Sequence, residues 1–200
     1  MEGSIMLSRH FSHLFYEPKQ SLQDADREPA SVFDIMFHIA LLSLIPSVCT
    51  YIASVHLGWN FGVEDRYFVP ADKALNISLA TFILLNAGVY GLGYGICWLA
   101  KTFDITPSPV HCLELAVFTS LPLFLSGLIA LYPVLHVDVS VGILAVAASV
   151  YLLYVGVPIF MHIPEDKGFM YSTWVVTIGL VAIVTLLAAS IFFMDLIGAI

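Results

Sequence analysis

Residues 150–176 read VYLLYVGVPIFMHIPEDKGFMYSTWVV: an apolar run, a Gly156-Val157-Pro158 interruption, three charges at Glu165, Asp166 and Lys167, then a second apolar run. So little polar material between two greasy segments reads as a hairpin whose arms both lie in lipid. The pattern recurs along the chain. Asp34 and Glu64 bracket 29 residues without Asp, Glu, Lys or Arg, and Lys73 and Lys101 bracket 27. Glu114 to Asp138 encloses 23, Asp138 to Glu165 encloses 26, and Lys167 to Asp195 encloses 27. A helix needs about 20 apolar residues to cross a hydrocarbon core of about 30 Å. In a chain of 200 residues, 60% hydrophobic and 11% charged, five such stretches leave almost nothing for a soluble domain.

The expected fold is therefore all-α: a bundle of five transmembrane helices over about 33–57, 74–100, 109–131, 138–161 and 170–195. An arm, 1–30, precedes this membrane domain, 31–200. A water-soluble bundle would need one polar face per helix, and stretches such as LLAASIFF and PLFLSGLIAL have none. Ser8, Arg9 and His10 break the opening apolar run, which argues against a cleavable signal peptide. The large Val48 argues against lipoprotein cleavage before Cys49. Cys49, Cys97 and Cys112 lie in or beside apolar spans and are expected as buried small hydrophobes, neither disulfide partners nor metal ligands.

With alternating spans, Arg9, Lys19, Arg27, Lys101 and Lys167 share one side of the membrane, and only Arg66 and Lys73 the other. The positive-inside rule then gives a cytoplasmic N-terminus and an external C-terminus; the net charge of −8 does not oppose this, because acidic residues count little in the rule. In the arm, Leu7, Phe11, Leu14 and Phe15 form one face of a short amphipathic helix suited to the headgroup layer. Pro18 then opens a second helical stretch. Trp59, Phe61, Tyr67 and Phe68 in the 56–73 loop belong at the membrane surface. Asn76-Ile77-Ser78 fits a glycosylation pattern but stands too near the membrane to serve as one. Ser108 and Pro109 form a cap and first-turn pair for the third span.

Helices in lipid associate through small residues and close packing. Ala87, Gly91 and Gly95 recur every four residues and offer such a groove, either to a helix of the same chain or, as a dimer seam, to a second copy. Pro46, Pro122 and Pro158 each delete a backbone hydrogen bond and bend a span. Among polar groups at membrane depth, Glu114 stands one turn inside the third helix, three residues after His111 on the same face. Two roles fit it: an interfacial structural one, or proton or cation coupling. Asp34 and His38, four apart at the start of the first span, complete a candidate polar site, with an acid at a helix N-terminus as its simplest explanation. Asn76 and Asn86 are candidates for bonds between helices.

No enzyme motif survives. There is no H-E-x-x-H, and His111-x-x-Glu114 runs opposite to the order of di-iron bundles and has no second copy. Ser126-Gly127 lacks the glycine at 124 and the histidine in the last span that an intramembrane serine protease needs. His10-x-x-His13 is too little for a metal. The glycines of 88–95 do not form a dinucleotide fingerprint. No cofactor, metal or nucleic acid is expected.

The stretch YLLYVGVPIFMHIPEDKGFMY, 151–171, resembles the fourth-span signature of the Yip domain family, the Ypt-interacting proteins. The likeness extends to residues 56–62, to Pro109-Val110-His111-Cys112 and to PLFLSGLIALYP at 122–133, which holds Pro122 and Gly127. It covers nearly the whole chain and points to the bacterial inner-membrane branch. It implies five spans, N-terminus in and C-terminus out, with Gly156 and Pro158 shaping the end of the fourth span and 163–168 reversing the chain. Eukaryotic relatives are associated with Rab-type GTPases and vesicle traffic, and carry a longer arm with an acidic-aromatic motif that this sequence lacks. That activity is not carried over. The expectation is a non-enzymatic membrane-organising or partner-binding protein, whose partners are the lipid bilayer and a second membrane protein or further copy. The alternative is a small oligomeric transporter or channel using a cytoplasm-facing site at His111 and Glu114, with His38.

Overall fold

A computed structural model describes residues 17–27, 30–60, 62 and 65–196. The amphipathic segment 5–15, with His10 and His13, lies outside them, as do Phe61 and Glu64. Helix α1 (Pro18–Arg27) precedes five long helices: α2 (Val32–Ile52), α3 (Ala71–Thr102), α4 (Pro109–Ser126), α5 (Leu135–Phe160) and α6 (Glu165–Leu196). A π turn, Ala53–Leu57, extends α2, and a 3-10 segment, Gly127–Leu131, extends α4. All five long segments are long and apolar enough to span a membrane. Among the described residues, extended pairing is limited to two isolated bridges, Trp59 with Tyr67 and Asn60 with Val134.

Helix α4 is the axis of the bundle. From Glu114 to Pro122 every side chain is buried, as expected of a helix surrounded on all sides by others. It packs on α2, α3 and α5, while α6 closes the ring by packing on α3 and α5. Outward faces of α3 and α6 present Leu79, Ile83, Tyr94, Trp98, Val181, Val184 and Leu187. In water such a surface would be untenable; in lipid it costs nothing.

Helix ends follow local chemistry. Ser108 caps α4, its Oγ accepting from Val110 N at 3.3 Å, with Pro109 in the first turn. Gly58 ends the π turn at φ +71°, and a Cβ there would stand 2.8 Å from Phe68 Cζ, so the position requires glycine twice over. The expected 163–168 turn is shorter. α5 ends at Phe160, α6 begins at Glu165, and Glu165 and Asp166 occupy the positive end of α6 instead of a loop.

Two expectations about packing change. Cys97 and Cys112 form a disulfide, with Cα atoms 5.8 Å apart. The tight 103–108 connection folds the start of α4 back along the end of α3 and sets the two cysteines opposite each other. Only Cys49 remains free and buried. The Ala87–Gly91 stripe faces outward: both residues are exposed, and nothing lies within 4 Å of a Cβ added at Gly91. The packing glycines are Gly95 and Gly88 against Ile178 and Leu186 of α6, and Gly93 against the backbone of Leu113.

Prolines meet glycines. A Cβ on Gly127 would fall 2.7 Å from Pro46 Cα, and one on Gly168 would fall 2.8 Å from Pro158 Cγ. At Gly127 the obstacle includes backbone, so the bends at Pro46 and at the end of α4 nest only through glycine. A Cβ on Gly156 would fall 2.6 Å from Leu115 Cδ1, a flexible side-chain tip that can yield.

Two expected outcomes follow from this packing. Gly127→Val should cost about 1–3 kcal/mol by overpacking, read from denaturant unfolding in detergent micelles, whereas Gly91→Ala, facing open space, should be neutral or gain up to about 1 kcal/mol of helix propensity. Alkylation of the denatured, unreduced protein should add one group by intact mass, at Cys49, and three groups after reduction; three groups without reductant would refute the pairing.

Candidate functional site

The polar residues of the described chain gather where α1 docks on the bundle. Helix α1 forms because Pro18 suits a first turn and helix formers follow; it buries Ser21, Leu22 and Ala25 and packs along α5. That face brings Asp26 to the end of the bundle. Its Oδ2 lies 3.0 Å from His162 Nε2, and its Oδ1 lies 4.0 Å from His111 Nε2. The two imidazoles have ring centroids 6.0 Å apart, and His111 also meets Phe160 edge-on at 6.1 Å.

His162 follows the last turn of α5 with φ +51°. A left-handed residue commonly ends a helix, usually as glycine. Here a histidine takes the position, and the turn aims its ring at Asp26. Asp26 is mostly buried, while His162 is largely exposed, so this pair is worth at most about 1 kcal/mol.

Glu114 makes the deeper contact. It is 1% exposed, and Oε1 accepts a hydrogen bond from Ala30 N at 2.6 Å. Ala30 belongs to the strap between α1 and α2, so a carboxylate on the central helix holds the strap from inside. It lines neither of the two cavities of the bundle. Asp26 Oδ1 and Glu114 Oε2 are buried without a hydrogen-bond partner among the described residues. Among those residues no three His, Cys, Asp or Glu side chains converge as metal ligands.

His38 and Asp34 form a separate feature. His38 is buried, and its Nδ1 donates to the Asp34 carbonyl at 2.7 Å, one helical turn back. Asn86 does bridge helices, donating to Ser43 Oγ at 2.7 Å, and Ser78 Oγ donates to Ser47 O at 2.7 Å. Asn76 is exposed. Between α3 and α6, the buried Tyr171 hydroxyl donates to the Ile96 carbonyl.

Midway along the spans, a cavity of about 360 Å³ separates α4 from α6. Leu85, Leu92, Phe124, Val150, Leu153 and Ile183 are among its walls; neither His111 nor Glu114 lines it. Sequence reasoning thus found His111 and Glu114 but missed Asp26 and His162. Only same-side bookkeeping could have signalled them: positions 26, 111 and 162 all fall at span ends on one membrane face.

The Yip1 domain profile matches residues 12–186. The chain belongs to the Yip1 family. It is also 33% identical over 183 residues to the "Inner membrane protein YohC" of Escherichia coli K12, covering 91% of this chain and 94% of that protein. The same identity and coverage hold for the YohC protein of the E. coli O6:H1 strain CFT073. No solved structure matches the chain. In this Yip1-family chain the stretch 151–171 contains the end of α5, His162 and the start of α6, so it builds half of the socket that receives α1.

Removing the deep contact should loosen the arm selectively. Glu114→Ala should cost about 1–3 kcal/mol through the unpaired Ala30 N–H and raise amide hydrogen exchange across 18–30 ahead of the spans. Glu114→Gln retains an acceptor and should keep the protection.

Proposed function

We propose that this Yip1-family protein is a non-enzymatic organising or docking protein of a bacterial inner membrane, with its N-terminal arm in the cytoplasm. The location rests on the name of its Escherichia coli relative and on the excess of basic residues on the arm's side. One observation carries the functional reading: the ionisable groups of the polar site hold α1 to the bundle, while the cavity at mid-membrane is walled mostly by apolar side chains, its only polar ones being the hydroxyls of Thr81, Thr119, Ser120 and Ser149. A carrier spends its buried polar groups on a path for substrate. Here they secure a short helix whose outer face, with Lys19, Gln20, Gln23 and Arg27, stays exposed. That face is the surface offered to a partner.

The competing reading is a small oligomeric transporter working through Glu114 and His111. The unpartnered Glu114 Oε2 speaks for it; the bond to Ala30 and the separation of this site from the mid-membrane cavity speak against it. A photo-crosslinker placed at Gln20 or Gln23 should give a discrete protein adduct in native membranes. Absence of any adduct or self-association would remove the docking reading. Ion or solute flux in proteoliposomes that Glu114→Gln abolishes would establish transport in its place.

A further inference from the structure

A second cavity, of about 720 Å³, opens beside α1 at the level where α5 ends and α6 begins. Its lining has two chemically distinct halves. Lys19, Gln23, Asp26 and Arg27 come from α1; Lys19, Gln23 and Arg27 stand at successive four-residue steps and therefore on one helical face. The opposite wall is apolar and aromatic, made chiefly by Tyr154, Pro158, Ile159 and Phe169. Tyr154 and Phe169 stack with ring centroids 5.3 Å apart, and the Tyr154 hydroxyl is fixed 3.0 Å from Thr173 Oγ1.

Asp26 and Arg27 of the polar half are engaged unevenly. Asp26 is turned to His162 at 3.0 Å. Arg27 lies 4.0 Å from Asp24 with both side chains largely exposed, a contact that water screens almost entirely. Cationic groups thus face an apolar wall across one cavity, at the depth where phosphates and the upper acyl chains of a bilayer lie. A soluble anion would leave the apolar half unused, and a hydrocarbon tail would leave the cations unused. An amphiphile satisfies both. Tyr and Phe at a span end suit this zone, and basic side chains at the membrane surface attract anionic lipid.

We propose that this cavity is a binding site for an anionic glycerophospholipid of the leaflet on the α1 side. Its phosphate meets Lys19 and Arg27, and its glycerol and first methylenes lie along Tyr154 and Phe169. Lys19, Gln23 and Arg27 also belong to the face offered to a partner, but the lipid assignment does not rest on that reading, and its test uses purified protein with no partner present.

The full-length protein in a nonionic detergent provides the test. Dihexanoyl phosphatidylglycerol should raise Tm by several degrees, as binding to the folded state requires. The Lys19→Gln/Arg27→Gln double variant, altered only at exposed positions, should keep the lipid-free Tm and lose most of the rise. Native mass spectrometry should show phosphatidylglycerol adducts on the wild type and a severalfold loss in the double variant, a readout independent of Tm. Three results would overturn the assignment: no rise in the wild type, an equal rise in the double variant, or an equal rise with dihexanoylglycerol, which lacks phosphate. A full rise with inorganic phosphate alone would mark a free-anion site and overturn the lipid assignment too.

Discussion

Hydrocarbon offers no hydrogen-bond partner, and every feature of this protein answers to that fact. Backbone groups within the membrane must be satisfied along their own helix, so spans run long and connections are pushed to the two ends. Side-chain hydroxyls follow the same rule: Thr119 donates to the carbonyls of Leu115 and Ala116, and Thr81 and Thr185 to the carbonyls four residues back. The few polar side chains that leave their own helix tie two helices together. Asn86 reaches Ser43, Ser78 reaches the Ser47 carbonyl, and Tyr171 reaches Ile96. Each removes an exposed polar atom from lipid and fixes the rotation of one span against another.

Glu114 extends this logic to the strap outside the membrane domain. A carboxylate on the most buried helix of the bundle accepts the N–H of Ala30, and α1 is thereby drawn over the ends of α4 and α5. Asp26 then meets the two histidines that terminate or begin those helices. The arm is thus one wall of a polar site and of the cavity beside it, and the stretch 151–171 supplies the opposite wall. Packing among the spans themselves depends on close approach, because burial between helices in lipid brings no hydrophobic gain. Gly127 against Pro46 and Gly93 against the Leu113 backbone are where that approach is tightest.

Much of this was legible in the residues. Charge-free stretches marked five helices long and apolar enough to cross a membrane, since such a helix is specified by length and apolarity alone. The Ser108-Pro109 cap and the helix opening at Pro18 were legible because each is a contact between near neighbours. Membership of the Yip1 family was legible in the aromatic run, the Gly-x-Pro and the acidic hairpin taken together. The disulfide was not: Cys97 and Cys112 look like any small apolar residue until a six-residue connection lays one helix beside the next. The packing face of α3 was misassigned for a related reason. Glycines at 88, 91, 93 and 95 crowd that helix, and spacing cannot show which of them a neighbour will touch.

The sequence by itself determined that lipid surrounds most of the chain, how many times it crosses, and which positions carry ionisable groups near the crossings. Those properties are sums over local composition. Only the tertiary structure decided that Asp26, separated from His162 by most of the polypeptide, would lie 3.0 Å from it, and that Glu114 would hold a backbone amide of the strap before α2. Such pairings depend on how helices rotate and nest, and in a solvent as uniform as hydrocarbon the hydropathy of a span says nothing about its rotation.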